Sequence, residues 1–153
     1  MRDLLPTRFR AIHPAQVHFV ATTIQYHALC RSTSDAIPVH LLTRQALRLY
    51  LDKLTPHGVL AFHLTNGHLN LDPVVFNLAL DAGVTYRLRK DLNTTLSDFE
   101  MGKMGSVWAV IARTPADLGP LADDPNWLLP SARPKLAVWT DDFSSLLSVY
   151  VWQ

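Results

Sequence analysis

The apolar run from Gly58 to Leu64, GVLAFHL, constrains the fold more than any other stretch of this chain. It shows no clear alternation, as expected of a strand buried on both faces of a parallel sheet. Its neighbours fix its context. Upstream, Leu41 to Leu54 places Leu47, Tyr50, Leu51 and Leu54 at helical spacing, with Arg44, Arg48 and Asp52 on another face. Thr43 is placed to cap that helix, and Pro56 and Gly58 end it. Downstream, Thr65 to Asn70 is a polar loop at the strand's carboxyl end. Asp72 and Pro73 then open a second helix that runs to Gly83.

The remaining segments extend this strand–helix pattern. Part of Val17 to Leu29 is rich in β-branched and aromatic residues and reads as a strand. Cys30 to Pro38 is a loop by composition. Val84 to Lys90 alternates as a strand with one wet face, Asp91 to Gly105 is a polar connection, and Ser106 to Arg113 is a further strand. The last two are expected to pair antiparallel. Beyond Arg113, five prolines interrupt the chain, with one short helix expected around Ala116 to Ala122. The end, WTDDFSSLLSVYVWQ, is an acidic turn followed by an apolar segment expected to dock on the domain.

Alternating strands and helices predict an α/β fold, a three-layer sandwich with a mainly parallel sheet. Ligands of such sheets sit outside the carboxyl ends of the strands. That placement singles out Asp35, His63, Asn66 and His68. At 153 residues the chain is long enough for one domain with a real core. Its net charge of +1 gives no basic excess that would suggest nucleic acid. Cys30 is the sole cysteine, which rules out an internal disulfide and fits a reducing compartment. No apolar run reaches the ~20 residues of a membrane span, and the start lacks a signal peptide's apolar region. A cytoplasmic protein without membrane contact is expected. Seven histidines are present, but no pair stands at helical ligand spacing with a carboxylate, so no metal is expected.

Three separated motifs carry a resemblance: SDAIPVHLLT from Ser34, GVLAFHLTN with NLDPVV from Gly58, and WTDDFSSLLSV from Trp139. Together they resemble the C-terminal half of spermidine synthase-like proteins, the polyamine aminopropyltransferases. The similarity is greatest to the bacterial branch often fused to a transporter-like membrane region, and it spans about Ser34 to Trp152. The resemblance implies a Rossmann-like fold of the class I methyltransferase type that ends in an antiparallel strand pair. It divides the single domain, 1–153, into a divergent segment 1–33, a core half 34–114 and a proline-rich connection with docking tail 115–153.

The implied reaction transfers an aminopropyl group from decarboxylated S-adenosylmethionine, as co-substrate, to a diamine such as putrescine. No covalently bound cofactor is implied. A diamine is a dication at neutral pH and calls for carboxylates. One amine must lose its proton before attacking the carbon beside the sulfonium, so an acceptor nearby helps. Asp35 matches the family's second loop aspartate and is the catalytic candidate. Substrate-binding candidates are Asp35, His63, Asn66, His68 and Phe99, the last within FEMGKMG, where the family has a loop over the substrate. Asp141 and Asp142 are expected to shape a turn.

The chain departs from the family at two points. Cys30 stands near the position of the first aspartate, and residues 1–33 hold no glycine and no acid except Asp3. The family's glycine-rich donor turn is therefore missing, so a truncated, incomplete member is expected, and whether the chain is an active enzyme on its own stays open. Its origin stays open between a fragment of a longer enzyme, a frameshifted remnant and a short protein with a new use. Two other functions remain open. One is a non-catalytic module that oligomerises or binds a partner through an exposed sheet edge. The other is a methyltransferase-like protein using intact S-adenosylmethionine.

Overall fold

The computed structural model describes residues 39–130 and 136–151. The reading of Val17 to Leu29 as a strand, and the candidates Cys30 and Asp35, lie outside the described residues. A single 3₁₀ turn, Val39–Leu41, leads into helix α1, Arg44–Lys53. Strand β1 is Val59–His63, helix α2 is Asp72–Ala82 and strand β2 is Thr85–Asp91. A short helix α3, Leu96–Glu100, precedes strand β3, Ser106–Ala112. Further 3₁₀ turns lie at Pro115–Leu121 and Leu146–Ser148. No helix among the described residues is long and apolar enough to cross a membrane.

The ends of α1 are built from local chemistry. Thr43 accepts the Ala46 N–H on its side chain at 3.1 Å and so caps the first turn. At the other end, the Arg113 guanidinium reaches four carbonyls, those of Leu51, Leu54, Thr55 and Pro56. Leu51 and its C-cap Leu54 are at the end of the helix, and Thr55 and Pro56 are in the turn that follows, so one planar fork ties the two together. Gly58 is required there, because an added Cβ would lie 2.6 Å from Leu54 Cγ. Gly83 ends α2 in the left-handed region, at φ 66°.

Helix α3 falls inside the stretch that the sequence suggests is a loop. Its start explains it. Asp98 accepts the Thr95 N–H at 2.9 Å while Thr95 Oγ1 accepts the Asp98 N–H at 3.1 Å, a reciprocal cap with aspartate at its third position.

The described sheet has three strands in the order β1-β3-β2, and β3 runs antiparallel to both neighbours. The expected antiparallel pairing of β2 with β3 is present. The mainly parallel sheet is not found among the described strands, where every hydrogen-bonded pair is antiparallel. β1 and β2 nonetheless run parallel to each other, with α2 as the crossover between them. The fold class of the described residues is therefore α/β with a small antiparallel sheet.

Burial follows from this order. Ala109, Val110, Ile111 and Ala112 on β3 are all 0% exposed. On one sheet face Leu60, Phe62, Tyr86, Leu88 and Ile111 pack with Leu47 of α1 and Val74, Val75 and Leu78 of α2. On the other face Val59, Ala61, Trp108 and Val110 pack with Leu118, Leu121 and Trp127. β1 is thus covered on both faces, which accounts for its unbroken apolar run. β2 alternates buried and half-exposed residues because its second face is wet.

The C-terminal segment closes on the start of α1. The Trp139 carbonyl accepts the Arg44 N–H at 2.8 Å, and the Thr43 hydroxyl donates to Asp141 at 2.6 Å. Replacing Arg113 with lysine, which offers no fork, is expected to lower stability by about 1–2 kcal/mol. The check is the urea midpoint at unchanged slope. An unchanged midpoint would contradict the capping role.

Candidate functional site

Because β1 and β2 are parallel, their carboxyl ends lie on one edge of the sheet, and the start of β3 lies between them. The register places His63 opposite Trp108, and Trp108 opposite Arg89, in one row across that edge. Directly opposed residues on one face bring their side chains into contact. The His63 ring accordingly stacks on Trp108, with centroids 4.6 Å apart and planes at 29°.

Just beyond His63 the ladder ends in an unusual way. The Leu64 N–H still donates to the Val107 carbonyl at 2.8 Å. The Val107 N–H, however, donates to the Thr65 side chain, with Oγ1 at 2.8 Å. The same Thr65 oxygen lies 2.8 Å from His63 Nε2. A hydroxyl thus joins the last ladder position to the imidazole. His63 is half-buried, and burial pushes its pKa below the ordinary histidine value, so the ring is neutral at pH 7.

On the helix-covered face of the same edge, Lys90 Nζ pairs with Asp72 Oδ2 at 2.8 Å. Asp72 opens α2, where a carboxylate also complements the helix dipole. Tyr86 is buried, and its hydroxyl has no hydrogen-bond partner among the described residues. Burial, and then the Asp72 charge, drive its pKa far above the usual tyrosine value.

The sequence candidates separate in this geometry. His63 is held at the edge in contact with Trp108 and Thr65. Asn66 Oδ1 accepts the His68 and Leu69 N–H groups at 2.8 and 2.9 Å, which makes it a turn-forming residue. His68 lies nearly parallel to Tyr150, at 9° and 6.5 Å, where the C-terminal segment runs beside the loop. That segment bonds to the loop through Asn70 N–H to Val149 O at 2.8 Å and Val151 N–H to His68 O at 2.9 Å. Phe99 belongs to α3. Asp35 lies outside the described residues. Asp141 and Asp142 form the two-residue turn between the bonded pair Thr140 and Phe143, as the sequence suggests.

Thr65 and Trp108 are the residues that sequence reasoning missed. Thr65 stands in the quoted polar loop, but nothing in its neighbours marks its hydroxyl. Trp108 becomes visible only once the β1–β3 register is known.

A cavity of about 240 Å³ lies between the C-terminal segment and the start of α2, lined in part by Asn70, Pro73, Ser148 and Tyr150. No carboxylate is among its described lining residues. Among the described residues no group of three or more histidine, cysteine or carboxylate side chains is arranged to hold a metal.

The burial of His63 has a pH consequence. Its folded pKa lies below the value of about 6.5 in the unfolded chain, so the unfolded state takes up the proton first as pH falls. The stabilisation is full above that unfolded value and is lost as pH falls towards the folded one. The His63→Gln variant is therefore expected to lose less stability than the parent between about pH 7.5 and about pH 5. Denaturation midpoints of the two chains check this, and parallel pH curves would contradict it. No family model, curated protein or solved structure matches this chain.

Proposed function

We propose that this chain is a spermidine synthase-like protein built on the C-terminal half of a Rossmann-like aminopropyltransferase fold, with the described sheet as the edge of a larger, mainly parallel one. The observation that carries the reading is the pair of parallel strands, β1 and β2, whose carboxyl ends meet on one edge with the antiparallel β3 between them. That arrangement agrees with the ending implied by the motifs at Ser34, Gly58 and Trp139. His63 stands on that edge, and the motif loop supplies Asp35 as the carboxylate for a diamine. Decarboxylated S-adenosylmethionine is the co-substrate in this reading. Without the glycine turn, donor binding in this reading is completed by a second copy of the chain.

One observation favours a second reading, an oligomerising module. On the side of β1 away from β3, no strand pairs with it among the described residues. On the outer side of β2, by contrast, Leu88 and Leu128 exchange backbone hydrogen bonds at 2.8 and 2.7 Å. In this second reading that side of β1 accepts another chain.

A thermal-shift titration of the full chain with methylthioadenosine, decarboxylated S-adenosylmethionine and putrescine tests the first reading. A ligand at a hundredfold excess over its dissociation constant stabilises by about 2.7 kcal/mol. At roughly 2–4 °C per kcal/mol for a domain of this size, the midpoint rises measurably. The nucleoside ligands are expected to raise it, and Asp35→Asn is expected to remove the putrescine effect. No shift with any of the three would overturn the aminopropyltransferase reading, and a monomer by sedimentation would overturn the second.

A further inference from the structure

The hydroxyl of Thr65 has one proton and two lone pairs. One lone pair receives the Val107 N–H at 2.8 Å, and the imidazole Nε2 of His63 lies 2.8 Å from the same oxygen. Two arrangements satisfy that geometry. In one, Thr65 donates its proton to Nε2, and the ring proton sits on Nδ1. In the other, Nε2–H donates to Thr65, and the hydroxyl proton is left without an acceptor among the described residues. The first uses every group. Stacking on Trp108 at 4.6 Å fixes the plane of the ring, and no described residue takes Nδ1 as a partner.

We infer that Thr65 holds His63 as the neutral Nδ1–H tautomer, so that this edge presents a ring N–H donor to an acceptor atom of a nucleoside-type ligand rather than a base to an ammonium group. The depressed imidazole pKa agrees with a ring that stays uncharged. An acceptor on the ligand, such as an aromatic ring nitrogen or a ribose oxygen, suits a neutral donor, whereas an alkylammonium offers only protons of its own. Thr65 is then a positioning residue. It acts through His63 and sets which ring nitrogen carries the proton. The assignment rests on the aminopropyltransferase reading for its ligand class. Within that reading it gives His63 to the nucleoside donor and leaves the diamine to other groups.

Long-range ¹H–¹⁵N spectra of the full chain, labelled at histidine nitrogens, report which nitrogen of His63 carries the proton. The expected result is Nδ1–H in the parent and in Thr65→Ser, which keeps the hydroxyl, and a change to Nε2–H in Thr65→Val. An Nε2–H ring in the parent, or an unchanged ring in Thr65→Val, would overturn the tautomer assignment. In the same spectra methylthioadenosine is expected to move the His63 Nδ1 signal and putrescine to leave it in place. Movement with putrescine alone overturns the ligand assignment. So does a still His63 signal when a thermal shift shows that methylthioadenosine binds. Loss of both the signal change and the thermal shift overturns the functional reading as well.

Discussion

Strand β3 has to satisfy its backbone hydrogen bonds on both sides at once, and most of the structure follows from that requirement. Its residues Ala109 to Ala112 are shut off from solvent entirely, so unpaired amides there would cost a desolvation penalty of about 1–3 kcal/mol each. Pairing with β1 on one side and β2 on the other removes that cost. Because both pairings are antiparallel, β1 and β2 run parallel to each other, and α2 is the crossover between them. The carboxyl ends of both strands then share one edge with the amino end of β3. Trp108 meets His63, and Val107 meets Thr65, for no reason other than this register.

The elements themselves were largely legible in the sequence. Helix α1 announces itself through the spacing of Leu47, Tyr50, Leu51 and Leu54, and Thr43 caps it where the pattern places the cap. The unbroken apolar run of β1 and the alternation of β2 both match the faces those strands bury. The order of the strands was less accessible. A mainly parallel sheet was the natural reading of alternating strands and helices, yet a late strand that inserts between two earlier ones leaves every described pair antiparallel. No local pattern encodes that choice, because it depends on contacts between residues far apart in the chain. The same holds for the Thr43 to Asp141 hydrogen bond, which joins residues separated by 98 positions.

The candidate site was legible in part for a related reason. His63 was visible because it ends a buried strand. Its two partners were hidden, one as an ordinary threonine in a turn and the other on a strand more than forty positions later. Asn66 and His68 are visible by their position on the sheet edge, and both make contacts within the chain. Asn66 holds the backbone of the following residues, and His68 lies against Tyr150. Polar residues at a strand's end serve the chain as readily as a ligand, and only the hydrogen bonds tell the two apart.

Backbone cross-strand NOEs at Ala109 test this account most directly, because the parallel relation of β1 and β2 and the composition of the edge depend on the position of β3. The account predicts contacts from Ala109 and its strand neighbours to both Phe62 and Leu88, the residues paired with it on either side. Direct backbone contacts between β1 and β2, with β3 paired to one of them only, would contradict it. In that case the row of His63, Trp108 and Arg89 would not exist.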